Sequence, residues 1–235
     1  MKKTLLAIAV AVATAAVPTI ASAQVAFNAA VVTDYRYRGI SQSKLKPAVS
    51  AGVDYAAGAF YVGAWASTIK WIKEFGGDSN VEIDLYGGYK GEIAKDVAFD
   101  VGLLTYIYPS NKLATSANTT ELYGAVTFGP ATLKYSHAVT DTFGNADSKN
   151  SFYLDLSAGF DVGGGLMVTP HIGHQKIKGS SACTYTDYSV TVSKDFSGLV
   201  PSLMVVGTNA KDACYLVNGK DLGKNGIVLG LKYNF

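Results

Sequence analysis

The chain has 235 residues, 49% hydrophobic and 16% charged, with 20 Lys and Arg against 18 Asp and Glu and a formal net charge of +2. That near balance excludes the basic excess that a nucleic-acid partner asks for. Its 15 Tyr, 10 Phe and 25 Gly suit aromatic belts and closely packed strands better than a helical protein.

The first segment opens on Lys2 and Lys3, continues in an apolar run from about Leu5 to Val17, and ends in Ala21-Ser22-Ala23. Charged start, apolar centre and an A-x-A end are the order of a secretory signal peptide, so cleavage is expected after Ala23 and a mature start at Gln24. The apolar run is short of the roughly 20 residues of a spanning helix, and no later run reaches that length. The expected organisation is a signal peptide over 1–23 and one domain over 24–235. Without Lys2 and Lys3 the 20 basic residues become 18, equal to the 18 acidic ones, and the domain is formally neutral.

From Val25 to Arg38 the odd positions Val25, Phe27, Ala29, Val31, Thr33, Tyr35 and Tyr37 oppose Asn28, Asp34, Arg36 and Arg38. Side chains alternate across a strand, which predicts one apolar and one charged face over this whole stretch. The pattern returns in Val81–Lys90, Val97–Tyr108, Phe152–Phe160 and Ile227–Phe235, with no charge on the apolar face. Weaker segments at 47–56, 59–69, 119–128, 131–139, 166–173, 185–194 and 199–208 bring the total to about twelve strands. This is the dyad repeat of an all-β, antiparallel, up-and-down transmembrane barrel.

The connections alternate in length. Short breaks lie at Ala57-Gly58, Gly91–Asp96, Gly129-Pro130, Asp161–Gly165 and Asp195–Gly198. Longer polar ones lie at Arg38–Lys46, Lys70–Asn80, Pro109–Asn118, Thr140–Asn150, His174–Thr184 and Asn209–Asn225. Outer-membrane barrels pair short periplasmic turns with long external loops, and a soluble sandwich has no reason to keep that asymmetry. Cys183 and Cys214 fall in the last two long loops, neighbours on the expected external rim, and a loop-to-loop disulfide is expected in an exported protein. Two thiols at unrelated spacing are no metal signature.

Several motifs in order carry a resemblance: Thr33-Asp34-Tyr35-Arg36-Tyr37-Arg38-Gly39-Ile40-Ser41-Gln42-Ser43 with Pro47-Ala48, Phe60-Tyr61-Val62-Gly63-Ala64-Trp65-Ala66-Ser67, and Glu82-Ile83-Asp84-Leu85-Tyr86-Gly87-Gly88-Tyr89. Tyr106-Ile107-Tyr108-Pro109, Glu121-Leu122-Tyr123 and Asp187-Tyr188 follow. Over nearly the whole domain the chain resembles the TorF-type porins, outer-membrane proteins otherwise described as conserved hypothetical. The resemblance implies a channel and brings no catalytic residues; the cysteines are not part of it.

An enzyme is not expected. A barrel phospholipase needs a Ser–His pair facing lipid, and His137 does face outward beside Tyr135. It is followed by Ala138-Val139, with no Ser two positions on. His174 and Asp187 form only a generic pair for an omptin-like protease. His171 and His174, three apart on a strand end, face opposite sides and make no metal site. No cofactor is expected.

The polar face carries Asp34, Arg36, Arg38, Asp54, Glu82, Asp84, Lys90, Asp100, Glu121, Lys134, Asp155, His171, Asp187 and Lys232, and these are the expected lumen-lining residues. Charges in a wet lumen set ion selectivity or pair across strands, and for Arg36 and Arg38 against Glu82 and Asp84 both roles are open. The acidic excess favours cations. About eight strands leave a filled interior and sixteen to eighteen an aqueous channel, and twelve lies between. Trp65, Tyr86, Tyr106, Tyr108, Tyr123 and Tyr153 point inward by parity, to narrow the lumen or to form a slide for an organic solute. The reading that follows is a monomeric barrel in the outer membrane of a Gram-negative cell that passes small hydrophilic solutes passively. The alternative is a closed structural or adhesive barrel acting through its external loops. Expected partners are outer-membrane lipid, periplasmic chaperones and the barrel assembly machinery, whose signal is the terminal Phe235, in phase with Tyr233, Leu231, Leu229 and Ile227 on the lipid face.

Overall fold

Residues that alternate between apolar and polar form extended strands, and the computed structural model, which describes residues 23–235, contains twelve of them. They are β1 (Gln24–Val32), β2 (Ala48–Ala57), β3 (Phe60–Thr68), β4 (Val81–Ala94), β5 (Val97–Ile107) and β6 (Thr119–Phe128). The second half is β7 (Ala131–Ala138), β8 (Phe152–Ala158, continued by Phe160–Asp161), β9 (Leu166–Lys176), β10 (Tyr185–Lys194), β11 (Leu199–Thr208) and β12 (Gly226–Asn234). The expected signal peptide, apart from Ala23, lies outside the described residues.

Each strand pairs antiparallel with its neighbours in chain order, and β12 returns to β1 with Ala30 opposite Lys232. The ring is therefore closed and leaves no sheet edge. At the seam Phe27 and Phe235 exchange backbone hydrogen bonds of 2.8 and 3.0 Å, and their rings stack at 5.8 Å. The connections at 58–59, 95–96, 129–130, 162–165 and 195–198 are short. Those at 33–47, 69–80, 108–118, 139–151, 177–184 and 209–225, here loops L1 to L6, are long and share the opposite end.

The two faces invert the rule of a soluble protein. Glu82, Glu121 and Asp187 are each only 1% exposed, while Phe27, Leu85, Val101, Leu103, Leu122, Leu133, Leu203 and Leu229 face outward. Leaving such side chains in water costs about 1.5–3 kcal/mol each relative to burial, so this exterior calls for an apolar solvent. Phe60, Phe128, Phe160, Phe196, Tyr233 and Phe235 ring the short-turn end, as an interfacial girdle does.

The long-loop end is packed. Ile69, Trp71 and Ile72 of L2 join Tyr106, Tyr108 and Ala117 in one buried cluster, with Tyr35, Tyr37, Leu113 and Phe143 against it. Ile40, Tyr185, Val217 and Leu222 form a second, packed by Tyr215. The sulfurs of Cys183 in L5 and Cys214 in L6 lie 1.95 Å apart, with Cα atoms 5.3 Å apart, and join the two loops beside that cluster.

One expected strand is shorter than its alternation. The run Val25–Arg38 leaves the wall after Val32, where Thr33 still bonds Leu229 through its backbone N–H and accepts the Leu229 N–H at its hydroxyl. Asp34 then turns the chain inward, accepting the hydroxyls of Ser41 and Ser43 and the Arg36 guanidinium. Arg36–Tyr37 pairs with Ile40–Ser41 in a small hairpin, with Arg38 (φ 47°) and Gly39 (φ 78°) as the two-residue turn. Two left-handed residues in sequence are the geometry of a type I′ hairpin turn. Arg36 and Arg38 are thus on a loop inside the lumen, not on the wall.

The inverted faces make a direct test. Leu203→Lys, on the outer face of β11, is expected to destabilise the lipid-embedded barrel by about 2–4 kcal/mol, the cost of a lysine near the bilayer midplane. Ser202→Lys, one residue away on the inner face, is expected to cost well under half of that in the same denaturant titration.

Candidate functional site

The lumen wall is built on pairs of strands in which a glycine lies beside a tyrosine. Asp54 on β2, Gly63 on β3 and Tyr86 on β4 form one cross-strand row. The Tyr86 ring lies flat over Gly63, and its hydroxyl donates to Asp54 Oδ1 at 2.6 Å. A Cβ at Gly63 would sit 2.4 Å from that ring, so the glycine is required by close approach.

The motif repeats. Tyr61, Gly88, Gly102 and Tyr123 are a row across β3 to β6. The two tyrosines lie over the two glycines from opposite sides, their hydroxyls bond each other, and Tyr61 donates to Asp100 at 2.6 Å. Across β8 to β10 the row is Asp155, Gly173, Asp187. The Tyr153 hydroxyl crosses above Gly173 to reach Asp187 at 3.0 Å, and His171 Nε2 bonds Asp155 at 2.7 Å. These rings lie along the wall rather than across the bore.

The arrangement also fixes the electrostatics. Asp54 and Asp100 each accept a hydrogen bond from a neutral hydroxyl, of Tyr86 and of Tyr61. Lys134 sits 4.1 Å from the centre of the Tyr123 ring and Lys90 5.4 Å from that of Tyr61. Asp84 points inward opposite Trp65 and Tyr106, 9% exposed, and its Oδ1 has no hydrogen-bond partner among the described residues. A buried acceptor left unpaired is costly, so this is a point of unused capacity in the wall. The wall of β10 to β12 is plainer: Thr191, Ser202, Met204, Val228 and Gly230, with Val32, Asp34, Tyr35 and Arg36, line a cavity of about 160 Å³ beneath L1.

L1 occupies the lumen above that cavity. Tyr35 donates to Glu82 at 2.6 Å, Tyr37 bonds the Tyr106 hydroxyl, and Arg36 reaches the backbone carbonyls of Gly39, Leu222 and Lys224. Arg38 makes the densest contact. Its Nη1 and Nη2 bond the two oxygens of Glu121 at 3.0 and 2.6 Å, and Nη1 also bonds Gln175 Oε1 at 2.6 Å. The guanidinium lies 4.3 Å from the centre of the Tyr153 ring and 4.8 Å from that of Tyr37. The hairpin tip fits against the wall at Gly39, where a Cβ would sit 2.5 Å from Thr208 and 2.6 Å from Asp187.

The expected residues thus divide into groups. Asp54, Trp65, Glu82, Asp84, Tyr86, Asp100, Tyr106, Glu121, Tyr123, Asp155 and Asp187 occupy inward wall positions, and Asp34, Arg36 and Arg38 are on L1. Tyr108 is the first residue of L3, buried in the cap. The pairing weighed for the arginines is replaced: Arg36 pairs with Asp34 and Arg38 with Glu121, because the hairpin carries them away from Glu82 and Asp84. Sequence reasoning passed over Tyr61, although its parity with Trp65 would have found it, and Gln175, which carries no signal beyond its inward position. His174 faces outward with Thr186, and His137 lies outside between Tyr135 and Asn150.

L1 is tied to the other loops at Glu74 of L2, which takes hydrogen bonds from Lys44 of L1 and, at 2.6 Å, Asn218 of L6. The Lys44 ammonium, then the Asn218 amide, holds the Glu74 carboxyl below the ordinary glutamate value of 4.5.

A family model described as "Bacterial protein of unknown function (Gcw_chp)" matches residues 13–235. No curated protein matches the chain. Among solved structures, the KdgM porin in complex with disordered oligogalacturonate is 8% identical, with 91% of this chain and 99% of that one covered and a TM-score of 0.59. The NanC porin is 10% identical, covering 90% and 99%, at 0.56. The COG4313 outer membrane channel from Pseudomonas putida F1 is 16% identical, covering 93% and 96%, at 0.52. At these identities the likeness shows the fold: a twelve-stranded closed barrel shared with porins and channels.

Two outcomes test the wall and its ties. Gly173→Ala places a Cβ 1.9 Å from the Tyr153 hydroxyl, so it is expected to cost about 1–3 kcal/mol by overpacking. Gly173→Ala with Tyr153→Phe, which removes that oxygen, is expected to recover part of the loss. For Glu74 the folded value lies below the unfolded one, so its contribution is present above 4.5 and lost as pH falls through the folded value. Hydrogen exchange of L1, L2 and L6 is expected to be faster in Glu74→Gln than in wild type at pH 7, with the difference closing as pH drops below 4.5.

Proposed function

We propose that this chain, which belongs to the Gcw_chp family of bacterial proteins, is an outer-membrane porin that passes small hydrophilic solutes or ions passively. The observation that carries the reading is the wall itself: a charged inner face whose tyrosines lie flat over glycines, which keeps the rings out of the bore. A barrel with only a structural role has no use for that arrangement, since inward tyrosines crossing the lumen would fill it more simply. The resemblance to the TorF-type porins points the same way. An apolar exterior, a signal peptide cleaved after Ala23 and a terminal Phe235 fit delivery by periplasmic chaperones to the barrel assembly machinery.

The chemistry of the wall selects the solute class. Oligogalacturonate, held by the KdgM porin, is a polyanion. Here the lumen-side carboxylates, Asp54 and Asp100 among them, outnumber the lysines and arginines on the same face. Fixed negative charge in a narrow, low-dielectric passage raises the local concentration of cations and repels anions. The preferred solutes are therefore cationic or neutral.

The packed loops favour a second reading, a closed barrel that acts through its external surface. Single-channel recording of the refolded protein in a planar bilayer separates the two. Discrete conductance with a reversal potential shifted toward the cation equilibrium is expected. Silence at every voltage from a folded barrel, together with no sugar uptake in liposome swelling, would establish the closed reading.

A further inference from the structure

The surroundings of Arg38 contain everything needed to recognise a guanidinium group, and most of it belongs to the rigid wall rather than to the loop. Glu121 on β6 offers a bidentate carboxylate, Gln175 on β9 an amide oxygen, and Tyr153 on β8 a ring face. A bidentate acceptor, a third acceptor and an aromatic face match the fork and the charge of guanidinium. The three groups are 1%, 2% and 5% exposed. They are also held in place independently of Arg38. Tyr106 donates to Glu121 at 3.2 Å, the Gln175 amide nitrogen donates to the Phe152 carbonyl at 3.0 Å, and Tyr153 donates to Asp187.

We infer that Glu121, Gln175 and Tyr153 form a lumen-wall binding site for cationic solutes bearing a guanidinium or amidinium group, and that Arg38 is a tethered occupant of that site whose release moves L1 out of the passage. This deepens the channel reading and rests on it. The loop side of the contact suits an exchange. Arg38 adopts a left-handed backbone, which is unfavourable for a non-glycine residue, so the hairpin turn gains nothing locally from an arginine there. The residue type is accounted for by what the side chain meets. A solute that satisfies Glu121, Gln175 and Tyr153 in its place would relieve the loop of this contact without leaving a buried carboxylate unpaired.

The test is chemical rescue of the full chain, refolded in detergent. Arg38→Ala is expected to lower the thermal midpoint, and millimolar guanidinium or methylguanidinium is expected to restore more than half of the loss. Tetramethylammonium at the same concentration, a cation with no hydrogen to donate, is expected to restore little. In Arg38→Ala with Glu121→Gln, which removes the buried charge, guanidinium is expected to have no effect. If Arg38→Ala does not refold by itself, refolding yield with and without guanidinium supplies the same comparison. In bilayers, Arg38→Ala is expected to conduct severalfold more than wild type, with guanidinium reducing that current at concentrations where sodium does not. Equal rescue by tetramethylammonium, rescue that survives Glu121→Gln, or no rescue at all would overturn the site. Rescue without conductance in any variant would keep the site and remove the channel reading instead.

Discussion

The rest of the structure depends on the closure of β12 onto β1. Until that seam forms, the chain is a sheet with two unpaired edges and two faces of equal standing. Once Ala30 stands opposite Lys232 and Phe27 exchanges backbone hydrogen bonds with Phe235, inside and outside are defined for every strand. The closed ring gives every strand a hydrogen-bonded neighbour on both sides, which is the condition for strands in hydrocarbon. It also turns a two-residue alternation into a radial one. Lys232 faces the lumen and Leu231 faces outward because the seam joins in this register, and a one-residue slip would exchange them.

Closure puts the inner side chains of neighbouring strands within reach of one another, and the glycines decide how they use it. Directly opposed residues stand about 4.5–5.5 Å apart at Cβ, so two large inward side chains in one row must compete for the bore. A glycine removes the competitor. At Gly63, Gly88, Gly102 and Gly173 the neighbouring tyrosine lies sideways instead of projecting: Tyr86, Tyr61 and Tyr153 reach a carboxylate further around or along the wall, and Tyr123 reaches the Tyr61 hydroxyl. Each such row pairs an acid with a neutral donor, so packing and electrostatics have one cause. A wall of salt bridges would be equally well bonded but electrically mute.

Strands, turn ends and face assignments were legible because lipid-facing barrel walls impose a period of two over many residues, most plainly in β4, β5, β8 and β12. The flat tyrosines were legible only in part. Their inward parity follows from the pattern, but their direction depends on which glycine stands opposite, and that requires the register. The hairpin of L1 was not legible. Tyr35 and Tyr37 continue the alternation of β1 with Arg36 and Arg38 between them, so periodicity extends the strand through a turn. The informative signs were weak: Gly39 after Arg38, a pair that is no standard type I′ turn sequence, and a run of small polar residues, Ser41, Gln42 and Ser43, that close on Asp34.

The Arg38–Glu121 contact then has a meaning beyond stability. Taking two charges out of water costs several kcal/mol per ion, and even a bidentate pair often does no more than offset that cost. An apolar hairpin tip packed on an apolar wall would hold L1 as firmly and could not be exchanged for anything. What a buried ion pair adds is a steep penalty, about 3–5 kcal/mol, for removing one partner without replacing it. A loop held in that way resists thermal opening yet yields to a substitute of the same charge and shape. Position and chemistry agree on this point. The pair lies where L1 meets the wall, the wall supplies the carboxylate, and the surrounding acidic lumen raises the local concentration of the ions able to replace the arginine.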